Sequence, residues 1–166
     1  MKQSEFAQFY RVSRDSCLRA VLATVGDRPL AEDLVAEAFT RAWASWSTVG
    51  RHPAPAAWVV RTAMNTRISW WRRRRREIVL DADVDVEAST QMDGQFAENA
   101  ALLGELRRLP QRQREVIVLR VFLDLDTKTT AQVLGIAPGT VTAHLSRAVT
   151  TLRQQLIPAD TPEVRS

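Results

Sequence analysis

Ala131, Gly135 and Val141 stand at relative positions 0, +4 and +10 within TAQVLGIAPGTVTAHLSRAVTTLR, residues 130–153. A helix-turn-helix needs a small residue where its helices cross, a turn residue that tolerates positive φ, and an aliphatic on the second helix facing the first. Leu134, Ile136, Val141 and Leu145 can close a small core around such a turn. Asp126 is placed to cap the first helix, and Pro138 or Gly139 to open the second. Thr140, Thr142, Ala143, His144 and Arg147 then fall on or near the outward face, within reach of bases and phosphates in a major groove. An ordinary helical hairpin is the alternative. A second, weaker signal is ISWWRRRRRE, residues 68–77. Arg72, Arg73, Arg74, Arg75 and Arg76 can neutralise phosphates, while Trp70 and Trp71 either stack on unpaired bases or pack beneath the helix.

Other chemistry is sparse. The chain has two histidines, His52 and His144, and no HExxH, no phosphate loop and no Gly-rich dinucleotide turn. The lone Cys17 excludes an internal disulfide and a multi-Cys zinc site, and its apolar neighbours suit a small buried hydrophobe. Catalysis, cofactors and metals are therefore not expected. The start lacks an apolar signal core and no apolar run could span a bilayer, so a cytoplasmic protein without membrane insertion is expected. Of 23 basic residues, 21 are Arg, whose planar donor fork suits an acidic polymer.

The elements that must position these residues follow from charge and periodicity. The net charge of +4 conceals +8 over 1–76, −7 over 77–98 and +3 over 99–166. The middle stretch carries seven acids and no base, which predicts a flexible acidic linker. The flanks read as helix. Ser4 can cap a helix whose apolar face runs from Phe6 to Thr24, and Gly26-Asp27 separates it from the next. Leu30, Leu34, Ala38, Ala42 and Trp46 line the inner face of that second helix. Pro55 opens a third, which is expected to bend or end near Asn65 before a basic helix runs to Arg76. Helices over 98–109, 111–123, 127–134 and 139–156 complete an all-α fold of two small domains. The expected boundaries are 1–76, a linker 77–98, 99–157 and a tail 158–166.

Together these pieces resemble an extracytoplasmic-function (ECF) sigma factor of bacterial RNA polymerase, over residues 5–156. AEDLVAEAFTRAW (31–43) looks like the family's polymerase-binding helix, and AAWVVRTAMNTRISWWRRRRR (56–76) like the −10 recognition and melting segment of region 2. LPQRQREVIVLRVFLDLD (109–126) with AQVLGIAPGTVTAHLSRA (131–148) looks like the −35-reading region 4. The SWWRRR run is similar to a subgroup common in high-GC Gram-positive bacteria. The resemblance implies that Asp33, Ala36, Glu37, Thr40 and Arg41 contact core polymerase. It implies a −10 site of Arg61, Asn65, Trp70, Trp71 and Arg72 to Arg76, with Asn65 in a loop that receives a flipped base. It extends the −35 site to Arg120 and Lys128, with Arg120 on phosphate. Three departures from the family pattern bear on these surfaces: Ala36 for Gln, Thr129-Thr130 for Glu-Ile, and His144 and Ser146 for bulkier or more basic residues.

The implied function is promoter-specific initiation by core RNA polymerase on promoter DNA, with a separate anti-sigma factor and the linker threading the RNA-exit path. A free-standing helix-turn-helix regulator and an Arg-rich RNA-binding module are the alternatives.

Overall fold

The computed structural model describes residues 1–78 and 100–157, with side chains from 67 to 78 left aside. Every element among the described residues is helical. The acidic stretch beyond Ile78 and the tail 158–166 lie outside them.

Helix α1 spans Lys2–Val25 and α2 spans Arg28–Ala44. The break between them is chemically specified. Gly26 ends α1 at φ 71°, in the left-handed region, and its N–H donates to the Leu22 carbonyl. Asp27 then accepts a hydrogen bond from the Leu30 N–H at 3.2 Å and caps α2. The expected Ser4 cap is corrected, because α1 begins two residues earlier and the Ser4 hydroxyl donates to the Met1 carbonyl at 2.7 Å.

Ala31, Leu34, Val35, Ala38, Phe39 and Ala42 bury one stripe of α2 at helical spacing. They pack on Cys17, Ala20 and Val21 of α1 and on Val59, Val60 and Ala63 of the third long helix. An aromatic cluster closes the far end, with Phe6 and Phe9 against Phe39 and Trp46. A short turn of helix, α3 (Trp46–Val49), leads through His52, whose Nδ1 accepts from the Ala54 N–H at 3.0 Å. That bond gives His52 a structural role.

Helix α4 runs from Pro55 to Ile78 without interruption. The break expected near Asn65 does not occur: Ala63 and Thr66 keep the helical face buried, and the Thr66 hydroxyl donates to the Thr62 carbonyl. The packing of Ala63 thus carries the helix past Asn65, itself a weak helix former.

The second body comprises α5 (Ala100–Arg108), α6 (Gln111–Ile117), α7 (Thr127–Leu134) and α8 (Pro138–Leu156). The single helix expected over 111–123 is instead α6 followed by a π-helical turn, Val118–Phe122. That turn re-aims the chain into the loop before α7. The two bodies are packed together. Ala54, just before α4, and Ala57 of α4 are buried among Val116, Leu119, Ala131 and Val133, and Ala23 of α1 among Leu103, Leu106 and Ile117. In return Val118 is buried in the core of the first body.

Candidate polymerase-docking and nucleic-acid surfaces

Asp33, Ala36, Glu37, Thr40 and Arg41 are all exposed along the outer stripe of α2, opposite its buried face. The stripe is internally braced. Arg41 Nη2 meets Glu37 Oε1 at 2.6 Å, Arg28 Nε meets Glu32 Oε1 at 3.1 Å, and the Thr40 hydroxyl donates to the Ala36 carbonyl. Beside it lies a cavity of about 80 Å³ lined by Tyr10, Arg14, Glu32, Val35, Ala36 and Phe39 among others. The small side chain of Ala36 thus borders a groove between α1 and α2. Tyr10, Arg14 and Glu32 were not singled out from sequence, because their grouping depends on how α1 crosses α2.

The helix-turn-helix is built as its spacing predicts. Gly135 ends α7 at φ 66°, Ala131 and Val141 are buried, and Pro138 opens α8. Asp126 caps α7 by accepting the Thr129 N–H at 2.7 Å. Hydrogen bonds from the Thr129 backbone and side chain, with Arg120 and Lys128 nearby, hold the Asp126 carboxyl below its ordinary value. Thr130 occupies the position where the family has an aliphatic. It is fully buried, and its hydroxyl donates to the Asp126 carbonyl at 2.8 Å, so the polar atom is satisfied.

Thr140, Thr142 and Arg147 of α8 and Lys128 of α7 are exposed, while Ala143 and His144 are half-buried. His144 Nδ1 is buried without a hydrogen-bond partner, so this ring is less available to a base edge than its outward position suggested. Arg120 is half-buried: its Nη1 donates to the Leu125 carbonyl and its Nε is buried, so it also braces the loop before α7.

On α4, Arg61 and Asn65 are exposed one turn apart on one helix face. Asn65 therefore sits on a helix, not in a loop. Arg61 is engaged: its Nη1 donates to the Val133 carbonyl of α7 at 2.8 Å. Trp70, Trp71 and Arg72 to Arg76 continue α4 as backbone, and their side chains lie outside the described ones.

No group of three or more His, Cys, Asp or Glu side chains among the described residues could hold a metal. Burial pushes the Cys17 thiol up to about 12, consistent with a packing role. No described helix is long and apolar enough to cross a membrane.

Residues 9–77, from α1 to α4, match the sigma-70 region 2 family, and residues 99–152, from α5 into α8, match sigma-70 region 4. A relative from Mycobacterium tuberculosis, the ECF RNA polymerase sigma factor SigL, is 35% identical, with 83% of this chain and 81% of the relative covered. The chain belongs to the ECF sigma factors. The RNA polymerase sigma-E factor of Streptomyces coelicolor is 34% identical over 94% of this sigma factor and 88% of its own length. Among solved structures, the sigma factor RpoE of Bartonella quintana, in complex with the anti-sigma factor NepR, superposes with a TM-score of 0.73 at 25% identity. That likeness covers 91% of this sigma factor and 96% of the Bartonella chain.

Proposed function

We propose that this sigma factor binds core RNA polymerase through the α2 stripe and reads the two promoter elements with separate helices. It supplies specificity and carries no catalytic centre of its own. The observation that supports this reading best is the exposure of Asp33, Ala36, Glu37, Thr40 and Arg41 along one stripe that the fold does not need. Residues 1–76 act as the polymerase and −10 body, 77–98 as the linker and 99–157 as the −35 body.

In the −10 body, Arg61 and Asn65 offer a guanidinium and an amide from one face of α4. An amide can donate and accept along a base edge, and the five arginines that follow suit the backbone. In the −35 body, Thr140, Thr142 and Arg147 face the groove, with Lys128 on phosphate. These short side chains give few bidentate contacts, so affinity for the −35 element is modest and shape-dependent. The protein works in the cytoplasm, where its polymerase is. A separate anti-sigma factor is the fitting regulator, as NepR is for the Bartonella relative.

Reconstituted transcription with core polymerase tests the reading. Start sites mapped across a genomic template share one upstream pair of elements only when the chain is present. Tight duplex binding by the chain alone, with no gain from polymerase, would favour a free-standing regulator instead.

A further inference from the structure

The cavity of about 80 Å³ between α1 and α2 has a floor and a rim of opposite character. Its floor is apolar: Val35 and Phe39 of α2 are buried there, with half-buried Leu18 of α1 beside them. The Tyr10 ring stands edge-on to Phe39, with centroids 4.9 Å apart, and so has a fixed position in the wall. The rim carries two exposed charges, Arg14 and Glu32. Each has a partner elsewhere, since Arg28 Nε meets Glu32 at 3.1 Å and Arg14 lies 4.0 Å from Asp15. A water in the cavity finds no hydrogen bond on Leu18, Val35 or Phe39, so an apolar group can displace it favourably. Ala36 keeps the cavity open. A longer side chain there would lean toward the helix N-terminus, over the turn that carries Glu32 and across the mouth. The opening therefore depends on a small residue at the position where the family pattern has Gln.

From this placement we infer that the cavity receives one branched aliphatic side chain of core polymerase, in place of the amide contact that a Gln at 36 would offer. The inference deepens the docking assignment proposed above and rests on it. Two observations select the occupant. Ala36 lies one turn from both Asp33 and Thr40, so the cavity opens within the proposed docking stripe and is continuous with it. Volume then limits what enters. A cavity of about 150 Å³ holds benzene, so one of about 80 Å³ accepts the branched end of Val, Leu or Ile and excludes an aromatic ring. Ala36 is thereby a specificity-determining residue. It makes part of the polymerase contact apolar, on a stripe whose other members are polar or charged.

The test measures equilibrium binding of the full chain to core polymerase, by competition with radiolabelled wild type at low and high salt. The variants are Ala36→Ser, Ala36→Leu, Ala36→Gln and the double charge reversal Asp33→Arg with Glu37→Arg. Residue 36 is exposed on its helix, so all three of its variants should keep the wild-type circular dichroism. Ala36→Ser leaves the cavity open and should bind as wild type does. Ala36→Leu and Ala36→Gln close it, and each should weaken binding ~10-fold or more, the scale of one apolar group shut out of a fitted pocket. That loss should persist at high salt, whereas the loss from the charge reversal should shrink, because only the charges are screened. If the cavity were idle, Gln would restore the family's amide and Leu would add apolar surface, so both would bind as well as wild type or better. That result, with binding lost in the charge reversal, would overturn the inference and leave the docking stripe standing. A loss in Ala36→Ser as large as in Ala36→Gln would also overturn it. Wild-type binding by every variant would remove stripe and cavity together.

Discussion

The two bodies differ in how they make a core. Region 2 fills its interior with large side chains: Phe39, Leu34, Val59 and Val60 on long helices and Trp46 on the short α3, with Phe6 and Phe9 packed against them. Region 4 has short helices and medium aliphatics, and its buried clusters take in Ala54, Ala57 and Ala23 from region 2. Region 2 is thus close to self-sufficient, whereas region 4 leans on its neighbour. Part of the support for the helix pair of region 4 thus comes from outside it.

The largest effect expected is on assembly. Asp33→Arg with Glu37→Arg reverses two exposed charges on the α2 stripe, and co-purification with core polymerase should be lost. The fold should hardly notice, because surface ion pairs such as Glu37–Arg41 contribute about 0–1 kcal/mol. Wild-type yield of holoenzyme with this variant would remove the docking assignment.

Core truncation comes next and separates the bodies. Phe39→Ala in region 2 should cost about 3–5 kcal/mol and Leu119→Ala in region 4 about 2–5 kcal/mol. Because the bodies share buried surface, denaturant unfolding of the wild type should show one transition. Leu119→Ala should split it, with region 4 melting first. A split in the wild type would show that the shared surface does not couple them.

The two left-handed glycines sharpen the comparison at smaller scale. At Gly135 an added Cβ meets nothing within 4 Å, so Gly135→Ala carries only the backbone cost, about 1–2 kcal/mol. At Gly26 the same strain is joined by the Arg107 guanidinium, so Gly26→Ala should cost more. Arg107→Ala should relieve the difference in a double-mutant cycle, whereas additivity would mean that the two do not interact.

The smallest effect is set by pH. The native Asp126 carboxyl lies below its ordinary value of 3.8, so the unfolded chain binds this proton more readily than the folded one. Its contribution to the α7 cap is present above the unfolded value and is lost as pH falls through the lower folded value. The Thr129 amide resonance should follow that titration, and Asp126→Asn should abolish its pH dependence.

Much of this was legible in the sequence because the deciding interactions are local. The Gly26-Asp27 joint, the buried stripe of α2 and the Ala131, Gly135, Val141 spacing each involve residues within a few turns. What stayed hidden was set by distant partners. Nothing local to Arg61 reveals the Val133 carbonyl that it meets. Ala23 and Ala57 are small residues that suit a surface or an interface equally, so the shared core left no pattern. The family resemblance implied a loop at Asn65, but the buried Ala63 and Thr66 beside it keep α4 helical. The π-helical turn at Val118–Phe122 carries an apolar pattern that an ordinary helix would also show. The contact of Arg120 Nη1 with the Leu125 carbonyl likewise left no local sign.

The most direct measurement is a base-by-base substitution scan of one mapped promoter, read as transcripts made by core polymerase with this chain. Two separate windows of sensitivity should emerge, one near −10 and one near −35. Arg147→Ala should weaken output while leaving the −10 window in place. A single continuous window, or a profile that core polymerase gives equally without the chain, would contradict the account.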